Sequence, residues 1–235
     1  MEMSKWSGAS VPAVVYGPPS ERAYLFVHGR CGRKEEAEAF AALACGRGCQ
    51  VVAVDLPGHG ERSDMDRFVP WCAVPELRGA IDAMRRQWRS VSLSAVSIGV
   101  WFAMLAFMGD APDNCLLVSP VLDMRGLIES SMRRAQVTPE QLARAGEIRT
   151  GSGETLSYQY YRYAVEHPIL EWGAPTAILY AGGDGLTPRE TVETFAERFS
   201  CRLTVMERGE HWFHTPEQLA AVSYTHLTLP TNSRV

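Results

Sequence analysis

Apolar residues fall along this chain in two rhythms. Short, β-prone and mostly apolar runs occupy Ala23–Val27, Gln50–Asp55, Val91–Val96, Cys115–Ser119, Pro175–Tyr180 and Arg202–Met206, each bounded by glycine, proline or a polar cluster. Runs this short with little polar alternation suit strands buried on both faces of a sheet. Between them, Lys34–Cys45, Pro75–Trp88 and Arg189–Phe199 predict amphipathic helices, with Leu77, Ile81, Met84 and Trp88 forming one stripe spaced by three or four. The segment Val100–Phe107 is apolar and alanine-rich throughout and is expected to be a buried helix. A further β-prone run, Val11–Tyr16, is separated from the first buried run by Gly17-Pro-Pro-Ser20, which predicts a hairpin-like connection. Strands alternating with helices in this way predict an α/β fold, a doubly wound and mostly parallel sheet. Ligands of such sheets gather at the carboxyl ends of the strands.

From Met124 to Trp172 the rhythm changes. This stretch has no buried strand pattern, only helical pieces at 126–135 and 139–148, a Gly151-Ser-Gly153 break and the aromatic series Tyr158, Tyr160, Tyr161 and Tyr163. Rings at that spacing suit either a helix packed on a core or the wall of a pocket.

At 235 residues, 46% hydrophobic and 21% charged, the chain has material for one sizeable core, so one domain with an insertion is expected. The formal net charge of −4 and the scattered arginines leave no basic footprint, which argues against nucleic acid as a partner. No apolar run approaches the ~20 residues needed to cross a bilayer. Met1–Ser10 lacks the apolar core of a signal peptide, and a cytoplasmic location is expected. Cys31, Cys45, Cys49, Cys72, Cys115 and Cys201 form no C-x-x-C pair and have no histidine at metal-ligand spacing. They are expected to be reduced thiols, with neither disulfides nor zinc, although Cys45 and Cys49 lie one helical turn apart.

The chemistry-bearing residues cluster just after the apolar runs. Ser97 sits where the run ending at Val96 gives way to a helix, with Ala95 two residues before it and Gly99 two after. Small residues at both places allow a sharp strand-to-helix turn that leaves the hydroxyl exposed and points the Ile98 N–H, first of the new helix, into the same space. Ser94 is the rival nucleophile, but the β-branched Val96 at its plus-two position suits that turn poorly. Other strand-end loops read His28-Gly-Arg-Cys-Gly32, Asp55-Leu-Pro-Gly-His-Gly-Glu-Arg62, Ala181-Gly-Gly-Asp184-Gly-Leu-Thr-Pro188 and Glu207-Arg-Gly-Glu-His211-Trp-Phe-His-Thr215.

Together these loops resemble those of the α/β-hydrolase superfamily. Ala95-x-Ser97-x-Gly99 resembles its G-x-S-x-G nucleophile elbow with alanine for the first glycine, and Asp55 to Gly60 resembles its structural D-x-P-G-H-G loop. The resemblance implies Ser97 as nucleophile, His211 as general base and Asp184 as the orienting acid. It also implies the backbone N–H groups of Arg30 and Ile98 as the oxyanion hole, and 124–172 as a small helical cap on a hydrolase domain spanning 1–222. Asp55 and His59 are then loop-fixing groups, Asp123 a rival acid and His214 a rival base. Among such enzymes the pattern is similar to small cytosolic carboxylesterases and to the serine aminopeptidase or monoacylglycerol-lipase-like group. The implied activity is cleavage of a small or medium acyl ester without cofactor or metal. Thioesterase, acyltransferase or aminopeptidase-like activity, or ligand binding without turnover, are the alternatives.

The chain beyond about Val222 reads differently. Val222-Ser-Tyr-Thr-His-Leu-Thr-Leu-Pro-Thr231 is β-prone and almost uncharged, and it resembles a translated transposon-type sequencing adapter. Residues 223–235 are therefore expected to be an artefactual tail in which His226 has no catalytic role.

Overall fold

The computed structural model describes residues 1–211 and 213. The strands are β1 (Met3–Lys5), β2 (Ala13–Tyr16), β3 (Arg22–Val27), β4 (Gln50–Val54), β5 (Ser90–Val96), β6 (Cys115–Val118), β7 (Glu147–Arg149), β8 (Thr155–Ser157), β9 (Thr176–Ala181) and β10 (Arg202–Met206). The helices are α1 (Glu38–Cys45), α2 (Pro70–Gln87), α3 (Ile98–Ala106), α4 (Met124–Arg134), α5 (Pro139–Ala145), α6 (Tyr158–Glu166) and α7 (Arg189–Arg198). One sheet of eight strands runs in the spatial order β1-β2-β4-β3-β5-β6-β9-β10. From β4 to β10 every neighbouring pair is parallel, and the antiparallel pairs β1–β2 and β2–β4 finish one side. This is the expected α/β architecture.

Strand periodicity explains why most of the buried runs are apolar at successive positions. Successive side chains point to opposite faces. Leu25, Val52, Leu93, Leu117 and Ile178 enter one core with α2 and α3. Their neighbours Phe26, Val51, Ala53, Leu116 and Leu179 enter a second core with α1 on the other face. A strand covered on both sides leaves little room for polar side chains, and those that β5 and β9 bury, Ser92, Ser94 and Thr176, are small. Helix α3 is buried from Gly99 through Ala106, which accounts for its apolar composition on every face.

Three local readings change. Strands β2 and β3 are not a hairpin, because β4 lies between them and pairs with both. The parallel crossover through α1 returns β4 to the edge of β3 that β2 would otherwise have taken. Helix α2 begins at Pro70 rather than Pro75, and Pro75 is carried inside it. A proline early in a helix gives up a single backbone hydrogen bond, here to the carbonyl of Trp71. The segment 147–149, expected to end a helix, is instead strand β7, which pairs with β8. Gly146 at φ 75° stops α5 just before it.

Between β6 and β9 the chain leaves the sheet and builds α4, α5, the β7–β8 ribbon and α6. Met132, Leu142 and Leu156 form a small core of their own there. Among the described residues no helix is long and apolar enough to cross a membrane. The anomalous tail, 223–235, lies outside the described residues.

Helix α3 begins so close to the end of β3 that a Cβ on Gly99 would overlap the carbonyl oxygen of His28 and lie 3.0 Å from that of Val27. Gly99→Ala is expected to cost about 2–3 kcal/mol, because the atoms in the way are backbone and cannot swing aside. Gly79, exposed in the interior of α2, has nothing within 4 Å of the same added methyl. Gly79→Ala is expected to stabilise by about 0.5–1 kcal/mol through helix propensity. Urea unfolding of the two variants beside the parent checks both signs.

Candidate active site

Ser97 occupies the junction between β5 and α3 with φ 53° and ψ −125°. A non-glycine residue there is strained by about 1–3 kcal/mol and persists only where its surroundings over-determine it. Here they do. The Ser97 N–H donates to the Val118 carbonyl on the neighbouring strand at 3.0 Å, and the Ser97 carbonyl accepts from Val100 at 3.1 Å and Val121 at 3.2 Å. Ala95, in the place of a glycine, is fully buried and fits.

The Ser97 Oγ lies 2.8 Å from His211 Nε2, and His211 Nδ1 lies 2.7 Å from Asp184 Oδ2. The other Asp184 oxygen accepts from the Leu186 N–H at 2.7 Å and the Thr187 N–H at 3.3 Å. A carboxylate only accepts, so Nδ1 of His211 carries the proton and Nε2 is left to accept from the Ser97 hydroxyl. The Asp184 side chain is fully buried, whereas that of His211 is 24% exposed. Their spacing comes from backbone packed on backbone. Gly183 N–H donates to the Gly209 carbonyl at 3.0 Å, and a Cβ on Gly182 would lie 2.7 Å from the Glu207 carbonyl oxygen.

The N–H groups of Arg30 and Ile98 donate to no described residue. That of Ile98 is at the start of α3, where the helix dipole favours negative charge. The Arg30 loop presses on Ser97, since a Cβ on Gly29 would lie 3.1 Å from the serine Cβ. Loop hydrogen bonds hold it there. The His28 Nε2 accepts from the Leu56 N–H at 3.1 Å while Nδ1 donates to the Gly29 carbonyl at 2.7 Å. His59 Nε2 accepts from the Cys31 N–H at 2.9 Å while Nδ1 donates to the Pro57 carbonyl at 2.7 Å. Both rings are therefore neutral and committed to the backbone. Burial, reinforced by the neighbouring His59, holds the His28 pKa down at about 4 against the opposing pull of the Gly29 carbonyl.

Asp55 fixes the same region. It accepts from the Lys34 and Glu61 N–H groups at 2.9 and 3.0 Å and from the Lys34 ammonium at 2.8 Å. Burial alone would raise its pKa, but these donors outweigh it and hold the carboxyl below its usual range. The buried Lys34 was not apparent in the sequence, where a lysine beside Glu35 and Glu36 reads as a solvated helix start.

The rivals lie elsewhere. Ser94 is buried within β5, opposite Phe26 and Leu116 on its neighbours. Asp123 caps α4 by accepting from the Gly126 N–H at 2.9 Å. His214 lies outside the described residues. The six cysteines are free, and among the described residues no three His, Cys, Asp or Glu side chains cluster as a metal site. A cleft of about 650 Å³ opens between α4, α6 and α7, walled in part by Trp101, Leu122, Ile169 and Phe195. None of Ser97, Asp184 or His211 lines it.

The family model described as "Alpha/beta hydrolase family" matches residues 24–222. No curated protein matches the chain. Among solved structures, the chain is similar to Est1E from Butyrivibrio proteoclasticus with ferulic acid bound, at 18% identity and TM-score 0.74, over 95% of this chain and 98% of that one. It is also similar to mouse alpha/beta hydrolase domain-containing protein 10, at 14% identity and TM-score 0.78, over 96% and 97% of the two chains. A thioesterase domain from the curacin biosynthetic pathway is similar at 15% identity and TM-score 0.64, over 96% of this chain and all of that one. At such identities the likeness is one of fold.

The depressed pKa of His28 makes stability depend on pH. An unfolded histidine takes up a proton near its ordinary value of 6.5, whereas folded His28 resists protonation until about 4. Its contribution is complete above 6.5, falls as the pH drops through that window and is gone below 4. Between pH 7.5 and 5 the loss is expected to be about 2 kcal/mol. His28→Gln, which keeps a neutral acceptor for Leu56, should remove that component from urea-unfolding free energies measured across the range.

Proposed function

The chain belongs to the alpha/beta hydrolase family, and from that premise we propose that it is a serine hydrolase cleaving a small or medium acyl ester through Ser97, His211 and Asp184. The observation that carries this reading is the unbroken hydrogen-bonded chain of 2.8 and 2.7 Å from hydroxyl to imidazole to carboxylate. A serine hydroxyl is a weak nucleophile at neutral pH, so the proton must leave as the oxygen attacks. His211 Nε2 accepts it, and the Ser97 Oγ bonds to the ester carbonyl carbon. Asp184 holds the ring in the tautomer that leaves Nε2 free and stabilises the imidazolium once formed.

The carbonyl oxygen then carries a negative charge, which the N–H groups of Ile98 and Arg30 receive. Backbone donors held by a fixed loop and a helix start need little reorganisation at the moment of reaction. The tetrahedral species collapses as the imidazolium gives its proton to the leaving alcohol, which departs and leaves an acyl-serine. Water repeats the sequence with His211 as base, and the acid product leaves with Ser97 restored. These steps use only groups of this chain and water. The similarity to the curacin thioesterase domain supports a second reading, in which a thiol replaces the alcohol as leaving group and the same groups act.

Ser97→Ala is expected to abolish ester hydrolysis, with a loss of up to about 10⁶ in kcat, and to abolish labelling by a fluorophosphonate. Ser94→Ala should retain both. Substantial turnover by a folded Ser97→Ala protein would overturn the assignment.

Asp184→Asn is expected to lower kcat by up to about 10⁴, because asparagine presents the wrong hydrogen-bonding partner to Nδ1. Asp123→Asn should cost little beyond the helix cap it weakens. Chromogenic ester assays of the two variants separate these roles.

A further inference from the structure

The carboxyl ends of β5 and β9 carry the proposed nucleophile and the proposed acid, and β6 lies between those strands. The segment that leaves β6 therefore spans the gap between Ser97 and Asp184. On one side it holds Ser97 at two points: the Val118 carbonyl accepts from the Ser97 N–H at 3.0 Å, and the Val121 N–H donates to the Ser97 carbonyl at 3.2 Å. On the other side the Ser119 N–H donates to the Leu179 carbonyl of β9 at 2.9 Å. Ser119 has φ 43°, a backbone conformation that persists only where its surroundings over-determine it.

Between the two points that hold Ser97 lies Pro120, whose carbonyl accepts from the Thr187 hydroxyl at 2.9 Å. Thr187 is 3% exposed and stands three residues after the acid. Each of its polar groups is committed to a different part of the frame. The N–H donates to Asp184 Oδ1 at 3.3 Å, the hydroxyl donates to Pro120, and the carbonyl accepts from the Tyr180 hydroxyl of β9 at 2.8 Å. One residue thus touches the acid with its backbone and the strap that holds the nucleophile with its side chain. The tie matters because the His211 ring meets Ser97 Oγ at 2.8 Å and Asp184 Oδ2 at 2.7 Å at the same time. An imidazole is rigid, so a wider separation of its two partners lengthens one of those bonds. Misplacing a reacting group by about 1 Å costs on the order of 100-fold in rate.

We infer that Thr187 is a positioning residue: its hydroxyl, bonded to the Pro120 carbonyl, sets the distance between Asp184 and Ser97 that the His211 ring has to bridge. This rests on the reading of Ser97 as nucleophile and Asp184 as acid. A threonine that merely filled space would tolerate valine, and one that merely stabilised the fold would behave like another buried threonine. Thr176, at the opposite end of β9, supplies that comparison. It is also 3% exposed, and its hydroxyl donates to the Ala174 carbonyl at 2.8 Å and accepts from Trp172 Nε1 at 2.8 Å.

The test follows the kinetics of Ser97 labelling by a neutral alkyl fluorophosphonate, which separate the rate at saturation from the half-saturating concentration. Thr187→Val is expected to lower the saturated rate about 10- to 100-fold and to leave the half-saturating concentration within about twofold, since attack is misaligned while binding is untouched. Thr187→Ser, which keeps the hydroxyl, should recover most of the rate, and folded Thr176→Val should keep the parent rate. If Thr187→Val does not fold, Tyr180→Phe serves: the ring stays, the donor to the Thr187 carbonyl goes, and the saturated rate should fall several-fold. An unchanged saturated rate in whichever of those two is folded, a change confined to the half-saturating concentration, a Thr187→Ser protein as slow as Thr187→Val, or an equal loss in Thr176→Val would overturn the positioning role while leaving the hydrolase reading intact. A folded parent that fails to label at Ser97, or labelling unaffected by Asp184→Asn, would overturn the triad reading, and this inference with it.

Discussion

Helix α3 starts in contact with the His28 carbonyl because residue 99 has no side chain, and that approach fixes where everything at the sheet's carboxyl edge can stand. It brings the strained Ser97 backbone beside the Gly29–Arg30 segment. The loop carrying Arg30 is then fastened on both flanks: the His28 ring reaches the Leu56 N–H, and the Cys31 N–H reaches the His59 ring. Gly32 closes a turn onto the Gly29 carbonyl at 3.2 Å. A donor between two such anchors has little freedom to turn away, which is the property an electrostatic site requires.

Further back, the same loops rest on a buried charge. The Lys34 ammonium, 2% exposed, meets Asp55 at 2.8 Å, Glu61 at 2.8 Å and Glu35 at 3.0 Å. Burying ions costs several kcal/mol each and is offset only where hydrogen bonding is complete. Asp55 meets that condition with backbone donors as well as Lys34, so one carboxylate ties the start of the Lys34 segment, the end of β4 and the Glu61 turn together. His59 of that loop ties the Cys31 N–H to the Pro57 carbonyl through its two ring nitrogens.

Much of this was legible in the sequence for a physical reason. Two-sided burial removes most polar residues from strands such as β3 and β9, and close backbone approaches demand small residues at Gly99 and Gly182, so both leave compositional marks. The loops bearing Ser97, Asp184 and His211 were marked in this way, and the fold brings their side chains into hydrogen-bonding contact. The features that were not legible depend on partners distant along the chain. The separation of β2 from β3 follows from where β4 inserts. The burial of Lys34 follows from an aspartate 21 residues away. The burial of the Tyr160 hydroxyl without a hydrogen-bond partner was not visible in a spacing that fitted core and pocket equally well, because it depends on the packing of the Tyr160 ring on Trp101 of α3.

The three proposed catalytic side chains are not equally anchored. Ser97 ends β5, which has a strand on either side, and Asp184 ends β9, which also lies between two strands. His211 follows β10, one of the two edge strands of the sheet among the described residues, and no residue of that strand is fully buried. Edge strands open with smaller free energies than central ones. A thermal excursion that frees β10 would carry the imidazole away while nucleophile and acid stay in register. Activity would then be lost reversibly at temperatures where the ellipticity of the whole fold has scarcely moved. In such a molecule an assay of turnover reports on the integrity of one border of the sheet, and a melting curve reports on its centre.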